Sequence, residues 1–176
     1  MTNEERTMIQ IGLGGGCHWC TEAVFQSLKG VSRVEQGWIS AREATDYAEA
    51  VIVHFNPGII TLDALLEIHL RTHSCTSEHF LRRKYRSAVY TYTGPQRQEA
   101  EALLLDLSHE FGKPVITRVM SYSSFKENTE EFRQYYYKDP EKPFCKTYID
   151  PKLRMLLKKF NKLVDTRKLS SLDIKN

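Results

Sequence analysis

The chain has 176 residues, of which 41% are hydrophobic, and a net charge of +3. This length supports one well-filled core and is too short for two comfortable domains. The small charge, spread over dispersed basic residues, excludes an extended nucleic-acid surface, and no apolar run approaches the length of a membrane span. We therefore expect neither nucleic acid nor a membrane among its partners.

The N-terminal residues show no positively charged region followed by an apolar one, so we predict no secretory signal peptide. Four cysteines in a chain without such a leader indicate a cytoplasmic protein whose thiols carry out chemistry or bind a metal. We predict a single domain over residues 1–164 and a polar, flexible C-terminal tail over residues 165–176.

The hydrophobic periodicity divides the chain into alternating strands and helices. Strands are predicted at 8–12, 31–39, 47–55, 87–92 and 115–120. Helices are predicted at 17–28, 61–70, 96–111, 130–137 and 151–164. Thr61 is suited to cap its helix, Gly30 and Gly112 to end theirs, and Pro151 to occupy a first helical position. This order indicates an α+β fold, a two-layer sandwich with helices packed on a mixed β-sheet.

A glycine-rich turn joins the first strand to the first helix, and a cysteine follows it directly in the sequence Gly14-Gly15-Gly16-Cys17. The turn places Cys17 in or next to the first helical turn, where backbone N–H groups lack intrahelical partners and the macrodipole is positive. A thiolate is stabilised there and its pKa falls. The sequence therefore predicts that Cys17 is a reactive nucleophile rather than a cysteine that only fills space.

Two further side chains next to Cys17 have more than one interpretation. Cys20 lies three residues on, the spacing of redox pairs in which one thiol attacks and the other resolves. His18 is either a base or metal ligand, or a histidine packed beside the thiol. Trp19 is either a recognition aromatic or a core residue, and composition alone favours the core.

Glu49 lies in the middle of the apolar strand 47–55, on the same side as Val51 and Val53. Burial raises the pKa of a carboxyl group, which then holds a proton near neutral pH and can act as a general acid. The alternative is that Glu49 lies on the solvent face of an edge strand, and the pattern does not separate the two.

A metal-binding module is a second class of function. The chain offers enough donors for zinc in Cys17, His18, Cys20, His73, Cys75 and His79. Their spacing is not a regular zinc-finger pattern, however, and a zinc site does not explain the glycines before Cys17. We therefore predict no metal and no cofactor.

The segment Gly15-Gly16-Cys17-His18-Trp19-Cys20, continuing to residue 31, resembles the active-site signature of the peptide methionine-S-sulfoxide reductases, MsrA. The resemblance continues, in the family's order, through residues 47–51, 56–66, 84–90, 131–136 and 144–153. Any one of these motifs is weak evidence, but the series spans roughly residues 8–160 and is specific.

The resemblance implies the ferredoxin-like α+β fold of that family and its chemistry. The cysteine matching Cys17 attacks the sulfoxide sulfur, and the glutamate matching Glu49 protonates the departing oxygen. Trp19 matches an aromatic that contacts the S-methyl group, and Tyr85 matches a tyrosine that binds the oxygen. The sulfenic acid left on the cysteine condenses with a second thiol, and thioredoxin reduces the resulting disulfide.

The departures from the family pattern lie in the pocket. His18 replaces a phenylalanine, and Trp38 replaces a tyrosine. The loop carrying a second oxygen-binding tyrosine is missing before Tyr47, as is the aspartate usual before Tyr85. We take the substrate-binding residues to be His18, Trp19, Trp38, Tyr47 and Tyr85, and predict a slower or differently selective reductase rather than an inactive one.

The resolving thiol has two candidates. Cys145 has the family position and a polar sequence context, whereas Cys20 lies on the same helical turn as Cys17, where a disulfide is strained. We favour Cys145, with Cys20 as second choice or relay. The alternatives to a reductase are an MsrA-like protein that binds methionine sulfoxide without reducing it, the metal module, and a general disulfide oxidoreductase.

Overall fold

Five strands form one sheet in the computed structural model, which describes residue 3 and residues 7–169 of the chain. They are β1 (Ile9–Gly14), β2 (Val31–Ala41), β3 (Ala48–Phe55), β4 (Ala88–Thr91) and β5 (Arg118–Glu127). The spatial order is β1-β3-β2-β5-β4, and β4 also pairs with β1, so that the sheet closes into a barrel. All neighbours are antiparallel except β4 and β5, which run parallel.

The closed barrel corrects the predicted open two-layer sandwich, although the α+β class is confirmed. Closure depends on β1 pairing with β3 on one side and with β4 on the other, and strand periodicity carries no information on which edges meet. Three alanines and three larger residues from β2, β3, β4 and β5 form one buried cluster, namely Ile39, Ala41, Ala50, Ala88, Tyr90 and Met120. Gly12 lets β1 pass close to Tyr90, since a Cβ at Gly12 would lie 2.8 Å from the Tyr90 Cβ.

Helices cover the outside of the barrel. They are α1 (His18–Gln26), α2 (Leu62–Thr72), α3 (Gly94–Ser108), α4 (Tyr135–Lys138) and α5 (Asp150–Lys159). Thr61 caps α2 as predicted, accepting a hydrogen bond from the Ala64 N–H at 3.1 Å. The main core lies between these helices and the outer barrel face, where Leu13, Phe25 and Val51 are fully buried. None of the helices in the described part combines the length and apolar character needed to cross a bilayer.

The largest differences from the predicted elements lie in the C-terminal third. β5 begins at Arg118 and runs to Glu127, and the last helix ends at Lys159. Packing also continues beyond residue 164, because a 3₁₀ turn (Thr166–Leu169) buries Leu169 completely. Residues 165–169 of the predicted C-terminal tail therefore pack against the rest of the chain at Leu169, and residues 170–176 lie outside the described residues.

Candidate active site

Two side chains hydrogen-bond the glycine turn after β1, one from α2 and one from the segment between α2 and β4. His69 Nε2 donates to the Gly14 carbonyl oxygen at 2.9 Å, and Arg82 Nη1 donates to the Gly15 carbonyl oxygen at 2.7 Å. Gly15 has φ +156°, and a Cβ there would lie 2.4 Å from the His73 ring. Close packing on His73 therefore requires glycine, and the turn delivers Cys17 to a fixed place.

Cys17 is the N-cap residue of α1 and is partly buried. The Cys20 thiol donates a hydrogen bond to the Cys17 sulfur, and this is the largest contribution that lowers the pKa of Cys17. Backbone N–H groups of Trp19 and Cys20 lower it further, whereas burial and the charge of Glu49 oppose them. The lowered pKa predicted for Cys17 is confirmed, but the main cause is a side chain rather than the helix terminus.

Cys20 is the proton donor of this thiol pair. It is only 7% exposed, and the hydrogen bond to Cys17, together with burial, raises the pKa of Cys20. A thiol that keeps its proton beside a thiolate stabilises the thiolate charge. In this reduced arrangement Cys20 therefore supports the nucleophile instead of competing with it.

Glu49 lies on the helix-covered face of β3, opposite Trp38 of β2, and is 5% exposed. Its Oε2 accepts a hydrogen bond from the backbone N–H of His18 at 3.0 Å, and Lys84 Nζ lies 3.5 Å from Oε1. The solvent-facing alternative for Glu49 is therefore wrong. The Glu49 carboxylate is hydrogen-bonded to the first turn of α1, at the residue directly after Cys17.

Both nitrogens of the His18 ring face hydrogen-bond partners. Nδ1 donates to the Gly37 carbonyl oxygen at 3.2 Å, and Nε2 accepts from Asn128 Nδ2 at 3.2 Å. Nδ1 also lies 3.7 Å from Glu49 Oε2. Burial is the main cause that lowers the pKa of His18, and the charge of Glu49 opposes it. The ring meets Trp38 edge to face at 5.7 Å between centroids and forms a wall beside it.

Asn128 was not found from the sequence, although it determines how this wall is held. Its Oδ1 accepts from Trp38 Nε1 at 3.2 Å, which fixes the orientation of the amide. Its Nδ2 then faces both His18 and Gln36 Oε1, the latter at 2.7 Å. Gln36 in turn donates to Glu22 Oε1 at 3.1 Å. Since Asn128 follows β5, the pairing of β5 with β2 brings it to His18, and no sequence signal marks it.

Trp19 belongs to an aromatic cluster that the sequence also did not reveal. It stacks on Tyr135 with 4.0 Å between ring centroids and meets Phe144 edge to face at 5.5 Å. The buried Trp19 Nε1 has no hydrogen-bond partner among the described residues. One face of Trp19 is thus covered, which leaves the rest of the ring for a ligand beside Cys17.

The two predicted tyrosines have different surroundings. Tyr85 follows Lys84, whose ammonium group lies over the Tyr85 ring, 5.1 Å from the ring centre. The Tyr47 hydroxyl is hydrogen-bonded to Ser124. A cavity of about 380 Å³ lies at this end of the barrel, lined by Trp38, Asp46, Tyr47, Phe80, Leu81, Arg83 and Lys84. A larger cavity, of about 700 Å³, lies beside Met8 and Ile9 and contains none of the predicted site residues.

Cys145 lies in a π-helical turn (Cys145–Ile149) just before α5 and is completely buried. Its thiol faces the Asp139 carbonyl oxygen at 3.6 Å, and burial raises its pKa. Burial also raises the pKa of Tyr135, and the nearby Cys145 and Cys17 sulfurs add to that effect. Cys145 therefore lies on the Tyr135 side of the site. Cys75 packs instead into the core at the end of α2.

The proposed zinc donors are not gathered. Within the described residues, no three His, Cys, Asp or Glu side chains are placed to hold a metal ion. His73 Nε2 faces Ser87 Oγ at 2.7 Å, and His79 accepts from the Leu81 N–H. The donors of the metal-module hypothesis are therefore occupied by separate, local hydrogen bonds.

A cysteine with a lowered pKa at a helix start, beside a buried glutamate, is the arrangement of a thiol-dependent redox site. Residues 9–164 match the sequence profile of the family described as Peptide methionine sulfoxide reductase. A protein named Peptide methionine sulfoxide reductase MsrA from Sulfolobus acidocaldarius is 33% identical over 163 residues, covering 84% of this chain and 93% of its own length. The MsrA of Deinococcus radiodurans is 35% identical over 159 residues, covering 81% and 77%.

The fold is also found among solved structures. Reduced Mxr1 from Saccharomyces cerevisiae superposes with a TM-score of 0.70 at 22% identity, covering 81% of this chain and 92% of its own. Methionine sulfoxide reductase A of Corynebacterium diphtheriae gives 0.66 at 23% identity, covering 76% of each chain. The chain belongs to the peptide methionine sulfoxide reductase family.

Proposed function

We propose that this chain reduces methionine S-sulfoxide, free or in peptides and proteins, to methionine. One observation carries the proposal: Glu49 binds the backbone N–H of His18, the residue directly after the activated Cys17. A nucleophile and a carboxyl group are thereby held on one helical turn, as removal of a sulfoxide oxygen requires. The MsrA relatives, similar over most of the chain, support the same chemistry.

The reaction balances with these groups alone. The Cys17 thiolate attacks the sulfoxide sulfur and forms a sulfur–sulfur bond, while the sulfoxide oxygen takes up one proton. The hydroxyl group then transfers to the Cys17 sulfur as both the sulfur–oxygen bond of the substrate and the new sulfur–sulfur bond break. Methionine sulfur gains two electrons and Cys17 sulfur loses two, giving methionine and a sulfenic acid. Glu49 is the side chain that delivers the proton.

We assign the resolving role to Cys145, with Cys20 as second choice or relay. Condensation of the Cys17 sulfenic acid with a thiol releases water and forms a disulfide. Cys20 touches Cys17, but both belong to one helical turn, where disulfide geometry is strained. Cys145 must first leave its buried position, so opening of the segment 139–149 precedes resolution.

Thioredoxin is the proposed reductant of the disulfide, and the cytoplasm, which keeps thiols reduced, is the proposed location. The structural neighbour Mxr1 has been solved in complex with Trx2, and its fold matches this chain with a TM-score of 0.59.

The substrate pocket is proposed to lie between α1 and the barrel end. The part of Trp19 not covered by Tyr135 would contact the S-methyl group. Tyr85 would bind the oxygen, while His18 and Trp38 would form the opposite wall. Tyr47 would line the entrance, because its hydroxyl is already bonded to Ser124.

Turnover of a dabsylated methionine S-sulfoxide with dithiothreitol tests the function, with the R epimer as stereochemical control. We expect conversion of the S epimer by the native chain and none by Cys17→Ser. Equal product from both proteins, or none from either, would refute the proposal. If neither protein forms product, equilibrium dialysis of the sulfoxide against Cys17→Ser would measure the alternative, which is binding without reduction.

A mass map of the oxidised, unalkylated protein tests the resolving thiol. We expect a disulfide between Cys17 and Cys145. A bond between Cys17 and Cys20 as the stable product would reverse the assignment.

A further inference from the structure

Lys84 is fixed beside Glu49 by the backbone. The Glu49 N–H donates to the Lys84 carbonyl oxygen at 2.8 Å, and the Lys84 N–H donates to the Leu81 carbonyl oxygen at 3.0 Å. The first bond joins β3 to the loop that precedes β4. The position of the Lys84 Cα next to Glu49 is therefore built into the fold, unlike that of an ordinary surface lysine.

The Lys84 ammonium group lies between the two side chains proposed to handle the sulfoxide oxygen. Its Nζ is 3.5 Å from Glu49 Oε1 and lies over the Tyr85 ring, 5.1 Å from the ring centre. Glu49 is 7% exposed at its side chain whereas Lys84 is 49% exposed. The ammonium group therefore lies between the buried Glu49 carboxylate and the open cavity that Trp38 and Lys84 line.

An ammonium group has three N–H donors, and only the one that faces Glu49 is engaged by an ion pair in the described part of the chain. We propose that Lys84 is a catalytic residue that donates a hydrogen bond to the sulfoxide oxygen and stabilises the negative charge that develops there. This inference rests on the proposed function. It assigns to Lys84 the task of the oxygen-binding side chains that the shortened loops before Tyr47 and Tyr85 lack.

The proton balance of the step is unchanged by this role. Lys84 and Glu49 together hold one transferable proton, which passes to the sulfoxide oxygen as the sulfur–oxygen bond of the substrate breaks. The Cys17 sulfur gains that oxygen and loses two electrons, and the methionine sulfur gains them. The pair regains its proton from solvent before the next turnover.

Lys84→Met tests the proposal, because methionine keeps the length of the side chain but has no donor and no charge. We expect kcat/KM for the S-sulfoxide to fall by about 10²–10³, the loss typical of removing one oxyanion donor. Lys113→Met is the matched control, since Lys113 is an exposed lysine after α3 and does not line this cavity. We expect that control to stay within about twofold of the native chain.

Two further measurements separate a catalytic from a structural role. Lys84→Arg keeps a cationic donor, and we expect it to retain at least about a tenth of native activity. The rate of Cys17 alkylation by iodoacetamide should be similar in Lys84→Met and the native chain, because the nucleophile is untouched. A native chain that reduces the sulfoxide while Lys84→Met matches it, or while Lys84→Arg falls as far as Lys84→Met, overturns the role of Lys84. A native chain that alkylates at Cys17 but reduces nothing refutes the proposed function instead.

Discussion

Replacing Asn128 by leucine would remove the side chain that orders the His18 wall. Leucine has nearly the shape of asparagine but cannot form the three side-chain hydrogen bonds to Trp38, His18 and Gln36. His18 and Gln36 are 6% and 0% exposed, so water replaces the lost partner poorly, whereas Trp38 is only half-buried. Each buried group left unsatisfied costs about 1–3 kcal/mol. Since Asn128 itself is half-buried, we expect the lower part of the sum, a loss of about 2–3 kcal/mol in the free energy of unfolding.

Equilibrium unfolding in urea, followed by tryptophan fluorescence and circular dichroism, measures this loss. Thr129→Ala is the control, because Thr129 is exposed and, within the described part of the chain, its side chain hydrogen-bonds only Glu131. The second arm combines Asn128→Leu with His18→Phe, which removes the orphaned acceptor. We expect the loss of unfolding free energy in the double variant to be smaller than the sum of the two single losses, by about 0.5–3 kcal/mol. Additive losses, or a loss below about 0.5 kcal/mol for Asn128→Leu, would contradict the network.

Three other outcomes are expected. Glu49→Gln should lower kcat/KM by about 10²–10⁴, while iodoacetamide still alkylates Cys17, as a single-turnover assay with alkylation controls would establish. Cys20→Ala should raise the pKa of Cys17 because its thiol donor is lost, so the pH profile of alkylation should move to higher pH; an unmoved profile would remove Cys20 from this role. Burial lowers the pKa of His73 to about 4, so the unfolded chain binds the extra proton between the ordinary histidine range and about pH 4. The free energy of unfolding should therefore decrease as the pH falls through that window, and His73→Gln should flatten this dependence.

The local features of the site could be predicted from the sequence because their causes are local. The glycines before Cys17, the helix after it and the Thr61 cap all depend on residues within one or two turns of each other. They appear in the structure as predicted, including the lowered pKa of Cys17. The strand containing Glu49 was also placed correctly, because its apolar run is longer than that of any other strand.

The tertiary structure alone decided which of these residues meet. Pairing of β5 with β2 places Asn128 beside Gln36 and Trp38, where it reaches the His18 ring. Glu49 is buried against the first turn of α1, and a backbone hydrogen bond holds Lys84 against Glu49. Periodicity records which face of an element is apolar, but hydrogen-bond partners far apart in the chain depend on which strands pair. The sequence by itself therefore identified the nucleophile Cys17 from local geometry, whereas the distant side chains around it come together only in the folded barrel.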